Sequence, residues 1–549
     1  MKKHLLATFI AAGLFVTTAA TAAVITPVNR DAAGQGLNDP TPVGAIGGNY
    51  GTTVGQQRRI VYQFAADLWG AVLQSNVETR VGASFQPLAC AATSGVLGSA
   101  GAWYVNRDFA GAPVAGIWYH AALANAIAGV NLNSADPTYI APDDIEIGSR
   151  FNSNLGTPGC LETSGWYYGL DGNTPAGRIN FLDVVMHEIG HGLGFQGFLD
   201  KTTGALANFD GTPRSDTYTR LAYDNVEDKR FGDPAMTNGL RATAMSTPGR
   251  LAWDGPEVTA NVPMALAELL RLSVTGDATG SFEFGTAAWG PAATPANFNG
   301  DVVLVSDGSA LPTQGCGTLV GDLTGKVALV DRGTCAFEIK AANAQAAGAT
   351  EVIIANNAAG VIGMAEDGSV NATIPSIMVS LADGNTIKAG LPDGVNAAVT
   401  PVPGQIAGAD ADGRALLYSP TVVATGSTFS HYDISHSPNA LQEPAINSDL
   451  DGNFRVDLSP ALYNDIGWTL NSGTATTRNG ACNTQVPVLV TPGLLPGANL
   501  QAADKLCRRT NVGNTIGYRN CVSGFVSRLE TAGLIPSAQA PAIKVCTIR

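Results

Sequence analysis

Residues Phe181 to Phe198 read FLDVVMHEIGHGLGFQGF, in which His187, Glu188 and His191 form H-E-x-x-H. On an α-helix, residues four apart share a face. Two imidazoles can therefore be aimed at one metal ion while Glu188, one step round, is placed to act as a general base on water. Asn180 is a good N-cap with Asp183 three residues on, and Phe181, Leu182, Val184, Val185 and Ile189 supply surface to bury, so a helix is expected here. Each glycine inside a helix costs about 1 kcal/mol relative to alanine. Gly190, Gly192 and Gly194 so close to the metal face therefore point to close backbone approach and a sharp stop. A catalytic zinc takes three protein ligands and keeps a fourth position for water or substrate, so this helix is one ligand short.

The pattern H-E-x-x-H-x-x-G continues in one class of zinc proteases with a histidine three residues after the glycine, and that place is Gly197, which has no side chain. Apart from His4 near the start of the chain, the remaining histidines are His120, His431 and His436. A glutamate ligand from a following E-x-x-x-D helix has little support, because Glu227, Glu257 and Glu268 are not followed by Asp four residues later. Asp200 stays open as a nearby carboxylate.

The stretch SHYDISHSPNALQEPAI (Ser430 to Ile446), followed by LSPALYNDIGW (Leu458 to Trp468), resembles the second half of leishmanolysin-like metzincins, and HEIGHGLGF is similar to that family's helix. The resemblance implies that His431 is the third zinc ligand, that residues 440–444 form the turn beneath the metal, and that the helix ending at Trp468 closes the domain. Segments inserted between the glycine and the third histidine are accommodated in that family. The turn carries Gln442 where the family has a methionine. A second resemblance covers the insertion: CGTLVGDLTGKVALVDRGTCAFEIKAANAQAAGATEVIIANN, then IPSIMVSLADGNTIKAGL, closely resembles the protease-associated (PA) domain. It implies a Cys316–Cys335 pair and no catalytic set of its own.

The elements that must position these residues follow from patterning. Thr52 to Gln74 has helical spacing of Ile60, Phe64, Leu68 and Leu73, whereas Thr79–Pro87 and Asp144–Phe151 alternate as strands. Residues 24–51 read as irregular, and 237–245 as a short helix. From about Asp301, strand-like runs alternate with one clear helix, a separate small α/β unit. The expected fold is α+β: a leader at 1–23, a metzincin-like catalytic domain in two pieces at 24–255 and 404–470, an inserted PA domain at 256–403, and a cysteine-rich module at 471–549. Insertion is cheap, because loop-closure cost grows only with the logarithm of length. In DLDGNFRVD, the side chains of Asp449, Asp451, Asn453 and Asp457 could ligate calcium, although Gly452 comes too early for a calcium loop.

Composition narrows the setting. Lys2 and Lys3, an apolar run and Ala20-Thr21-Ala22 have the form of a secretory signal, so an extracellular or periplasmic protein is expected, without stable membrane insertion. Removing that leader reduces the basic residues from 31 to 29 against 45 acidic ones, about −16, a balance that repels nucleic acid. Eight cysteines in an exported chain favour disulfides, with Cys90 to Cys160 closing the first part. The expected activity is zinc-dependent hydrolysis of peptide bonds in protein or peptide substrates, with Glu188 as general base and His187, His191 and His431 on one Zn2+. The rival expectation is a secreted protein-binding scaffold that has lost catalysis.

Overall fold

The computed structural model describes residues 21–133, 144–366, 368–447 and 449–548. The leader expected at 1–23 thus lies almost wholly outside the described residues. The chain divides into two compact units: one made of the chain up to Leu266 together with Gly408–Arg549, the other of Ala267–Ala407.

In the first unit, β1 (Ile25–Asn29), α1 (Val54–Val72), β2 (Thr79–Gln86), β3 (Gly98–Ala102), α2 (Ala121–Ala128) and β4 (Ile147–Asn152) precede α3 (Phe181–Leu193). The sheet order is β1-β2-β4-β3. β1, β2 and β4 run parallel, and β3 is antiparallel at the edge, with Gly98 opposite Phe151. The sheet is therefore a mixed α/β layer rather than the segregated α+β arrangement expected. β1 falls in the stretch read as irregular, and β3 in a glycine- and alanine-rich stretch that carries no strand signal.

α1 begins where Thr53 accepts a hydrogen bond from Gln56 N, and it buries Val61, Phe64, Leu68, Trp69 and Val72. Its Trp69 Nε1 donates to Met186 O at 3.0 Å, which ties α1 to α3. The C-terminal residues belong to the same unit: the helix Pro496–Thr510 pairs Lys505 and Arg509 with Asp67 of α1, at 3.1 and 2.7 Å, and Phe525 stacks on Phe64. Disulfides Cys482–Cys546 and Cys507–Cys521 staple this end, and Cys90–Cys160 closes the first part as expected.

The second unit is built on an eight-stranded sheet. Its parallel centre comprises Asn299–Leu304, Val327–Asp331, Glu351–Ala355 and Ser376–Val379. Leu329, Ile353 and Ile377 feed one core and Val330, Ile354 and Met378 the other, the alternation a sheet covered on both faces requires. Cys316–Cys335 forms within it. The helix Pro256–Ala265, drawn with the insertion from sequence, clusters instead with the first unit. There Asp465 accepts from Glu257 N at 2.9 Å and Val258 N at 3.1 Å, capping its first turn, and from Trp253 Nε1 at 3.0 Å.

Candidate metal centre

α3 starts at Asn180, whose side chain accepts from Leu182 N at 3.0 Å, and all of its residues are buried. The three glycines have the packing role their cost implies. A Cβ at Gly192 would lie 2.2 Å from Ile147, and one at Gly190 would lie 2.1 Å from Gln442 Nε2. Gly194, at φ 132°, ends the helix. Trp468 Nε1 donates to Leu193 O at 2.8 Å and Tyr463 Oη to Gly190 O at 2.9 Å, so the closing helix Ser459–Ile466 and the tryptophan after it hold the end of α3.

His431 enters from the other segment. Tyr418 N donates to His431 O and Tyr432 N to Gln442 O, each at 2.9 Å, so the two residues are fixed with opposite facings. His431 points to α3, while Tyr432 packs on Phe195 and His436, at ring separations of 4.8 and 4.9 Å. A side chain at Gly197 would meet the Phe429 ring at 2.1 Å, so the place three residues after Gly194 is occupied by the segment that delivers His431.

The three histidines converge. Their ligand-capable nitrogens lie within 4.8 Å of one another, and no other group of three or more His, Cys, Asp or Glu does so among the described residues. His187 Nε2 is 3.0 Å from His191 Nε2 and 3.3 Å from His431 Nε2. Each Nδ1 faces a backbone carbonyl: Leu441 O at 2.7 Å, Phe195 O at 2.8 Å and Ser427 O at 2.7 Å for His187, His191 and His431. A carbonyl only accepts, so each Nδ1 carries the proton and each Nε2 presents a lone pair to the others. Burial opposes the alternative of protonating both nitrogens. It pushes His187 down to about 4, and holds His191 and His431 well below the usual range, with the neighbouring imidazoles adding to the effect. Three lone pairs at such separations repel unless a cation lies among them, and neutral imidazoles of fixed tautomer are the donor set that zinc takes.

Glu188 lies beside this group, 4% exposed, and burial pushes its carboxyl up to about 8 while Arg150 pulls the other way. Its Oε2 has no hydrogen-bond partner among the described residues. A cleft of about 830 Å³ opens over it, lined by residues 93–100, by the three histidines and by Glu443 to Asn447. Gly98 carries no signal in the sequence, yet a Cβ there would fall 2.4 Å from Glu188 Oε1. Edge strand β3 can approach the carboxylate only because that residue has no side chain.

The other candidates lie elsewhere. His120 packs on Phe198 at 4.5 Å, His436 on Tyr432, and Asp200 accepts from Thr202 and Thr203 N in its own turn. The calcium expectation is not supported. Asp457 accepts from Leu441 N at 2.6 Å, Asp449 pairs with Asn439, and no three carboxylates come together here among the described residues. Asp183, three residues into α3, accepts at Oδ1 from Gly452 N at 2.9 Å.

Residues 290–387 match the PA domain family, so a PA domain is present in the second unit. Among curated proteins the chain is similar to Signal peptide peptidase-like 3 of Arabidopsis thaliana, 35% identical over 88 residues, which is 16% of each chain. It is also similar to Minor extracellular protease Vpr of Bacillus subtilis (strain 168), 44% identical over 73 residues, 13% of this chain and 9% of the relative. The chain therefore spans no more than about a sixth of the length of these relatives. Among solved structures it is similar to an aminopeptidase from Aneurinibacillus sp. strain AM-1, at 22% identity and TM-score 0.19 over 26% of this chain and 37% of that one. It is likewise similar to BSAP, a zinc aminopeptidase from Bacillus subtilis, at 19% identity and TM-score 0.19 over 27% and 37%. No described helix is long and apolar enough to cross a membrane.

Proposed function

We infer that this chain is an exported zinc endopeptidase of metzincin type, with His187, His191 and His431 as ligands and Glu188 as general base. Three imidazoles, each with its Nδ1 proton committed to a backbone carbonyl and its Nε2 turned to a common point, support this most strongly. Zinc, when bound, supplies Lewis acidity that polarises a carbonyl and lowers the pKa of water towards about 7. Glu188 Oε2, unpartnered at the cleft, takes the proton of the attacking water and passes it to the departing amine. Burial of Glu188 keeps its proton affinity high enough for that exchange, and the charge of Arg150 keeps the ionised form accessible.

Among the described residues β3 pairs only with β4, and its residues line the cleft, so an extended peptide can add to its outer edge by main-chain hydrogen bonds. Such binding holds residues on both sides of the scissile bond and favours internal cleavage. The PA domain and a relative named as an extracellular protease fit export and protein substrates, as do four disulfides. The catalytic unit on this reading runs in two pieces around the PA-containing insertion, with residues 471–549 as its stapled brace.

Mass spectrometry of products from a peptide library tests this. The wild type should cut internal bonds and stop with a zinc chelator, and Glu188→Ala should lose at least about 100-fold while keeping its metal. Cleavage confined to amino-terminal residues would refute the endopeptidase reading. Stoichiometric zinc without any cleavage would favour the binding scaffold instead.

A further inference from the structure

Gln442 stands at the junction of the two segments that build the site, in which His187 and His431 are 244 residues apart in sequence. It is fully buried. Its Nε2 donates to His187 O at 3.0 Å, and its backbone oxygen accepts from Tyr432 N at 2.9 Å, one residue after His431. The carbonyl just before it, Leu441 O, holds the Nδ1 proton of His187 at 2.7 Å. One dipeptide thus touches the helix that carries His187 and His191 and the segment that carries His431.

The surroundings are shaped for the amide. A Cβ at Gly190 would fall 2.1 Å from Gln442 Nε2 and 2.8 Å from Tyr463 Oη, so a side chain there would expel it. Donation by Nε2 fixes the amide's orientation, and Oε1 is left buried with no partner among the described residues. A buried polar atom without a partner costs stability, which an apolar side chain of similar length avoids. The residue therefore gives up packing stability and returns one directed hydrogen bond to the backbone of a metal-facing helix.

We propose that Gln442 is a positioning residue, a polar brace that sets His187 relative to His431 through His187 O on one side and Tyr432 N on the other. It does not touch the metal or the substrate; it acts by holding imidazoles in register, and so governs metal affinity and geometry. This rests on the zinc reading above.

Gln442→Leu and Gln442→Met remove the donor while keeping the volume. Zinc affinity by chelator competition, the visible spectrum of the cobalt-substituted protein and the melting temperature of the metal-free protein separate the cases. The brace predicts that both variants bind zinc about 10-fold more weakly or worse and shift the cobalt bands. Their metal-free melting temperature should be equal to or above that of the wild type. Unchanged affinity and spectrum would overturn it. So would a loss of affinity that only follows a lowered metal-free melting temperature, since that is a packing role. A wild type without stoichiometric zinc would instead remove the metal reading itself.

Discussion

Gly98→Ala is the sharpest perturbation of the catalytic side of the site, because it adds one methyl group and touches no ligand. The new Cβ would fall 2.4 Å from Glu188 Oε1 and 2.8 Å from its Cδ, where ordinary contact begins at 3.4 Å, so the carboxylate must retreat by about 1 Å. Gly98 sits in a strand opposite Phe151, without the positive φ that only glycine tolerates, so alanine suits the backbone and folding is not penalised. A 1 Å displacement of a reacting group costs on the order of 100-fold, which corresponds to about 2.7 kcal/mol in the barrier. Initial rates on an internally quenched peptide, with zinc content and melting temperature measured in parallel, read the effect. The expected result is kcat/KM down about 100-fold with zinc and melting temperature unchanged. A variant within about threefold of wild type would show that the position of Glu188 does not limit the reaction.

Glu188→Gln tests the buried carboxyl through pH. The folded pKa of Glu188 is raised to about 8 from 4.5, so between those values the folded state binds the extra proton and stability falls as pH rises. The metal-free wild type should therefore lose melting temperature relative to Glu188→Gln between pH 5 and pH 9, and parallel curves would contradict the burial. Asp465→Ala strands Trp253 Nε1, Glu257 N and Val258 N, and should lower stability by about 3 kcal/mol in urea unfolding of the metal-free protein; a loss under about 1 kcal/mol would show that solvent replaces the cap.

Much of the site was legible because its parts are local. H-E-x-x-H on an apolar, capped stretch needs only helical periodicity, and the glycines within it announce their neighbours by their cost. His431 could be named only through a resemblance, because no spacing rule links residues on two segments so far apart. β3 was not legible: GSAGA has no large side chains to alternate, and its strand character comes from pairing with β4 and from the need to approach Glu188 and Gln196 closely. The calcium expectation finds no support, because a run of acidic residues in sequence does not reveal which backbone amides each will turn to. No local pattern ties the helix Pro256–Ala265 to the first unit, because its cap, Asp465, lies about 200 residues downstream.

Zinc content per chain in the wild type, His431→Ala and His436→Ala, each checked for folding by circular dichroism, tests the central claim most directly. One zinc per chain in the wild type and in His436→Ala, and none in His431→Ala, is the expected result, because among the described residues only His431 brings its Nε2 to the pair on α3. Zinc retained by His431→Ala, or lost from a folded His436→Ala, would contradict it.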